Sequence, residues 1–306
     1  MADAIFVLVI RDGEETMPQA VIYALLSLVF AGILDVVYKR YSRKTRSRGT
    51  FVFGIGVVWA ILQLGVISLD RIPLQFDPVS IGYGLLAGLF LTLSNLLLLE
   101  SLSRIDVSLG STVYRLNTLV VVILSWLLLG EDLGALKMTG IGLGIIAVGL
   151  LYRRSQGTTA SQGEQLFLPY FLMAVAASFF RASYGVATRG GILHQADPQA
   201  MLLLCAICWI VGGAFYARFR EGRFRLTWKK TAYASLTGVL VFLVVYFLMR
   251  AVQFGEASIV IPIANMSFIM AMAISVSFRL ESFSLRKGAA MLVATLAIVT
   301  LALAAN

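Results

Sequence analysis

Residues 88–131 read GLFLTLSNLLLLESLSRIDVSLGSTVYRLNTLVVVILSWLLLGE. Two apolar runs flank the polar stretch SLSRID, and the second run closes on Gly130-Glu131. A membrane helix needs about 20 apolar residues, at a rise of 1.5 Å each, to cross some 30 Å of hydrocarbon. Each run comes close to that length, so the segment reads as two crossings with a short connection. Outward from it the pattern continues to both ends of the chain. Of 306 residues, 59% are hydrophobic and 13% charged. A soluble domain has roughly 45–50% and about 25%. Ten apolar stretches follow, at about 18–38, 51–69, 78–100, 108–129, 135–152, 166–187, 200–217, 231–250, 257–278 and 286–304. Pro18, Pro78 after Asp77 and Pro198 after Asp197 mark starts. The expectation is an all-α membrane protein of ten transmembrane helices, with no room for an appended soluble or nucleic-acid-binding domain. Residues 1–17 read as a polar N-terminal tail without the basic start of a signal peptide. Residues 153–165 read as a cytoplasmic linker.

A shift of 150 residues superposes the chain on itself. Trp59 meets Trp209, Tyr83 meets Tyr233, Gly88 meets Gly238 and Ser108 meets Ser258. Glu131 meets Glu281, Lys137 meets Lys287 and Ala147 meets Ala297, with the conservative pairs Lys39–Arg189 and Asp106–Glu256. The chain holds only four Trp, so the Trp pair is informative where Ala matches are cheap. This predicts a duplicated five-helix unit, residues 18–152 and 166–306. Five is odd, so the second unit enters the membrane from the opposite side and the repeats are inverted. Alternate loops hold eighteen Lys and Arg against five on the other side. The positive-inside rule then places segments 39–48 and 218–230 in the cytoplasm and both termini outside. The net charge of +9 is explained by this topology.

An ionisable side chain at membrane depth is costly and marks a candidate site. Arg115 lies within TVYRLN of the fourth span, and Arg181 within FFRASY of the sixth. Either guanidinium could instead snorkel to the nearer interface, which for Arg181 is six residues away. Asp35 precedes Lys39 by four. It reads as a helix-surface ion pair, or as a gating or coupling carboxylate that holds Arg115 and cycles a proton. Asn95 and Asn117 fall in the cytoplasmic third, and Tyr184, Tyr246, Asn265 and Ser267 in the external half. Interhelical hydrogen bonding is the plainer reading of each Asn. The substrate-binding candidates are therefore Arg181, Tyr184, Tyr246 and Asn265 on one side, and Arg115, Asn117 and Asn95 on the other. Glu100 reads as a solvated helix end. Gly84 with Gly88, and Gly140 with Gly144, have the GxxxG spacing of close helix packing.

Other motifs exclude chemistry. Two Cys and one His cannot build a disulfide framework or a multi-His metal site. Cys205 and Cys208 form a CxxC inside a span and read as packing, while His194 stands alone in a loop. Without HExxH, GxSxG or GxxxxGK[ST], no metal, cofactor or enzymatic activity is expected.

These features together resemble the drug/metabolite transporter superfamily, and specifically its EamA-like members, over about 18–304. Residues 88–131 resemble the third and fourth spans of an EamA unit with its closing Gly-Glu. The second half reads RLES at that place. The resemblance implies a central cavity lined by both halves, alternating access and no covalent chemistry. It also implies cytoplasmic termini, the reverse of what the charges argue. The expected function is secondary transport of a small anionic or zwitterionic organic metabolite across the cytoplasmic (inner) membrane. The expected partners are that solute, the lipid bilayer and a coupling proton, with the chain a monomer or homodimer. The alternative is a non-transporting membrane protein such as a scramblase or assembly factor.

Overall fold

The computed structural model describes residues 17–42, 47–69, 73–101, 114–151, 164–222, 228–277 and 285–304. Residues 1–16 of the expected tail, most of the linker, Asp106, Ser108 and Glu281 lie outside the described residues. Every regular element among the described residues is a helix. In chain order they are α1 Met17–Ser42, α2 Gly49–Leu69, α3 Pro78–Ser101, α4 Asn117–Leu129, α5 Ala135–Leu151, α6 Glu164–Leu193, α7 Pro198–Phe219, α8 Trp228–Phe254, α9 Ala257–Asn265, α10 Phe268–Ser277 and α11 Leu285–Ala304. Segments within α1, α2, α3, α6, α7 and α8 are long and apolar enough to cross a membrane. The stretches 117–129, 135–150, 257–271 and 288–304 are shorter.

Two expected spans are interrupted, and the interruptions correspond. The chain turns at Leu116 before α4, and at Met266–Ser267 between α9 and α10. These sites are 150 residues apart. At each turn the hydrogen bonding tightens from four residues to three: Leu119 N donates to Leu116 O, and Ile269 N to Met266 O. The second tightening releases the Asn265 carbonyl, which Ile269 would bond in an unbroken helix. Pro262 lies one turn upstream and has no amide to donate. Its counterpart in the first half is Thr112, so a proline is not what the two breaks share.

The helices pack as a two-fold repeat demands. α3 packs on α6 as α8 packs on α1, and α3 packs on α7 as α8 packs on α2. α4 meets α6 as α10 meets α1, while α2–α7 and α5–α11 are each their own counterparts. The register survives to the atom. A Cβ at Gly88 would meet Cys205 and Cys208, and one at Gly238 would meet Ile55 and Val58. Subtracting 150 turns the first pair into the second. Residues that correspond and also touch must straddle the axis, and Trp59 and Trp209 do, buried edge to face with ring centroids 6.0 Å apart. Between apolar helices in lipid, association rests on van der Waals fit rather than hydrophobicity, so glycines sit at the crossings. At Gly213 a Cβ would lie 2.4 Å from the amide nitrogen of Phe53. All of this fits an inverted-repeat membrane fold.

Helix ends are tied by side chains. Asp77 caps α3, accepting from Val79 N at 3.0 Å and from the Ser80 hydroxyl. The Ser80 hydrogen bond holds its carboxyl below the usual range, so this cap is lost only as pH falls through that lowered value. Asp197 caps α7 at Gln199 N, 2.9 Å. At the end carrying Arg48 and Arg220, Glu100 is not a solvated terminus. It is largely buried, pairs with Arg48 and Arg220, and accepts the Tyr216 hydroxyl. Cys205 and Cys208 are free thiols packed over Gly84 and Leu85 of α3. His194 is not alone either: it stacks on Tyr83 at 5.5 Å with its Nδ1 3.2 Å from the Tyr83 hydroxyl.

Candidate functional site

The two breaks face one another and share one polar network. Arg115, at the first break, donates from Nη1 to the released Asn265 carbonyl at 2.8 Å and to Ser267 Oγ at 3.2 Å. Its Nη2 donates to Asp35 of α1 at 2.7 Å. Ser267 Oγ donates in turn to Asp35 at 3.0 Å. The Asn265 amide donates to Asn117 Oδ1 and, at 3.2 Å, to Thr118 Oγ1. Phe268 lies beneath the guanidinium, 5.1 Å from its ring centroid. Arg115, Thr118, Gly144, Pro262, Asn265 and Phe268 border a small cleft with room for about one water. Asn117 and Asn265, expected on opposite sides of the membrane, are therefore in contact. The reason is where the helices end: Asn265 closes α9, Asn117 opens α4, and the two ends meet.

Arg181 occupies a different position from the one its sequence neighbours imply. The sixth span was expected to end near 187, which left six residues for snorkelling. The helix instead continues to Leu193, and within the candidate span Leu168–Leu193 Arg181 lies thirteen residues from one end and twelve from the other. It also faces inward. Leu168, Leu172, Val175 and Phe179 form the exposed stripe of α6, whereas Ala177, Ser178, Tyr184 and Gly185, one turn from Arg181, and Thr188, two turns away, are buried. The guanidinium lies over the Tyr184 ring at 5.3 Å. Among the described residues no carboxylate lies within ion-pair distance of it. Tyr38 lies within electrostatic reach of Arg181, Asp35 and Tyr114.

The remaining candidates sit elsewhere. Tyr184 is 1% exposed and packs under the Arg181 guanidinium. Tyr246 packs against Phe242 and Phe247, both at 5.7 Å. The Asn95 amide donates to Leu91 O on its own helix at 2.9 Å. Its neighbour Ser94 makes the interhelical bonds, to Ala177 O at 2.8 Å and Tyr114 Oη at 3.3 Å. Sequence reasoning missed Ser94 and Thr118, common polar residues in apolar runs. It also missed the roles of Glu131, Lys137, Glu256 and Arg189, although all four appear in the 150-residue register. Among the described residues no cluster of His, Cys, Asp or Glu could hold a metal ion.

Paired half-helix breaks at corresponding points of an inverted repeat are the arrangement of a carrier's binding region. The EamA-like transporter family model matches residues 18–153 and again 168–303. The chain belongs to the EamA-like transporter family. Each bound of the second match lies 150 residues beyond that of the first, the register that relates the packing contacts. Members of this family are transporters, and a multi-pass membrane location follows from family and helices together. A solved structure described as "Crystal structure of protein" is similar at 14% identity and a TM-score of 0.76, over 94% of this chain and 97% of that one. At that identity the likeness establishes a shared fold. No curated protein matches the sequence.

Proposed function

We propose that this EamA-like protein is a secondary carrier with ten crossings. It moves a small anionic or zwitterionic organic metabolite across the cytoplasmic membrane by alternating access. The observation that carries the reading is Arg181. A central guanidinium costs at least about 2.5 kcal/mol on insertion scales and cannot shed its proton. It faces inward, and among the described residues no carboxylate pairs with it, so a carboxylate or phosphate of the cargo is its natural partner. Arg115 is the second anchor. In the resting network Asp35 holds it, and an arriving anion competes with Asp35 for the same fork. A carboxylate displaced in that exchange is the group able to take up a coupling proton.

The test is flux in sealed vesicles containing the purified protein, screened with labelled carboxylate and phosphate metabolites. Arg181→Gln keeps hydrogen-bonding capacity and removes the charge, so it abolishes flux while the protein stays monodisperse. Arg181→Lys retains part of it. Flux through Arg181→Gln equal to the parent's overturns the anion site.

A further inference from the structure

α9 is nine residues long, and the other repeat grips both of its ends. At the N-terminal end, Glu131 accepts Ala257 N on one oxygen at 2.8 Å and Ser258 N on the other at 2.9 Å. At the C-terminal end, Arg115 takes the Asn265 carbonyl. A carboxylate at the positive end and a guanidinium at the negative end both complement the helix dipole. α9 belongs to the second repeat, while Glu131 and Arg115 belong to the first.

Around the outer grip lies a compact set of charges. Lys137, 5% exposed, pairs with Glu256 and donates to the Asp132 carbonyl. Glu256 immediately precedes α9. Arg189 donates to the Val252 carbonyl at 2.5 Å, near the end of α8, and feels both Glu131 and Glu256. Two cations and two anions thus join the α4–α5 connection, the first turn of α5, the α8–α9 connection and α6. Buried ion pairs are poor evidence for stability, since apolar packing of like volume often does as well, and a switching role is their better-attested use. The contacts between repeats at α2–α7 are of another kind. They are backbone-close glycine crossings, which gain nothing from water when parted. Charges that part regain hydration, so this polar set can open and re-form.

We infer that α9 is a rigid lever between the binding region and one end of the molecule, and that Glu131 with the Lys137–Glu256 pair is the closure at its outer end. Glu131 and Lys137 are then positioning residues: they hold α9 so that the Asn265 carbonyl stays under Arg115. The purpose of the closure rests on the transport reading, but its test requires no cargo, so the two fail separately.

The experiment measures a distance by pulsed electron spin resonance in the full chain in lipid nanodiscs, with Cys205 and Cys208 replaced by Ala. Spin labels go on Gly134→Cys, where a Cβ meets open space, and on Gln253→Cys near the end of α8. The parent has one dominant distance. Glu131→Gln and Lys137→Met each raise the ratio of a longer distance to the parental one by about tenfold, as loss of a contact specific to one state requires. The reciprocal swap, Lys137→Glu with Glu256→Lys, returns the parental distance. A control pair on exposed positions of α2 and α7, Leu64→Cys with Val211→Cys, stays fixed throughout. An unchanged distance in both single variants makes the network a static staple and overturns the inference. Widening at the control pair as well means general loosening and overturns it equally.

Discussion

At Ser267 one hydroxyl serves two charges, donating to Asp35 and accepting from Arg115. The ion pair itself is direct, so the hydroxyl trims geometry that the charges already enforce. Ser267→Ala is expected to cost about 1 kcal/mol, the value of an ordinary hydrogen bond, and Asp35→Asn about 2 kcal/mol, because it strips a partly buried guanidinium of its counter-charge. Thermal midpoints of the purified variants in one detergent rank them, and a larger loss for Ser267→Ala would show that the pair is not the centre of the network. Arg115, Asp35 and Arg181 were legible as candidates because a charge in an apolar run is conspicuous. Ser267 and Thr118 were not, since hydroxyls are common in membrane helices. Their relevance depends on where the helix breaks. The Asn265 carbonyl, a main-chain atom, leaves no trace in residue type.

At the scale of helices, glycines divide into those that touch and those that do not. A Cβ at Gly213 would lie 2.4 Å from Phe53 N, whereas at Gly142 it would meet nothing within 4 Å. Backbone cannot yield as a flexible side chain can, so Gly213→Ala must push α2 and α7 apart. It is expected to lower the thermal midpoint by several degrees. Gly142→Ala leaves packing untouched and removes a weak helix former, so it is neutral or adds up to about 1 kcal/mol. Size-exclusion profiles after a heating series compare the two, and equal midpoints would mean that α2 and α7 do not cross as closely as described. Existence and order of the helices could be read from hydropathy, since it tracks contact with lipid. The end of α6 could not. Its last turn, Thr188-Arg189-Gly190-Gly191, is polar and small because it packs against protein: Gly191 faces Met201 and Tyr83, and Arg189 the end of α8. Hydropathy stops where lipid stops, and the helix continues.

For the molecule as a whole, the two-fold relation creates an ambiguity that packing cannot lift. An axis in the membrane plane exchanges the two ends, so every crossing at one end has its counterpart at the other. The 150-residue register could be read from Trp59, Tyr83 and Gly88 because rare or spatially constrained residues recur. The direction of insertion cannot come from the same evidence, since the symmetry erases it. Only what breaks the symmetry can decide, and that is charge. Eighteen Lys and Arg lie in or beside one set of loops and five beside the other, a bias that sets orientation through the cost of moving cations across the bilayer. Trp228, 86% exposed, lies within the basic segment 218–230, and Leu69, 84% exposed, ends α2 at the opposite face. With each replaced singly by Cys in a background free of Cys205 and Cys208, an impermeant thiol reagent added to intact cells should label Leu69→Cys at once. Trp228→Cys should react only after permeabilisation. The opposite pattern would put the basic loops outside and both termini in the cytoplasm. The positive-inside bias would then have been overridden, and the Glu131 closure would face the cell interior.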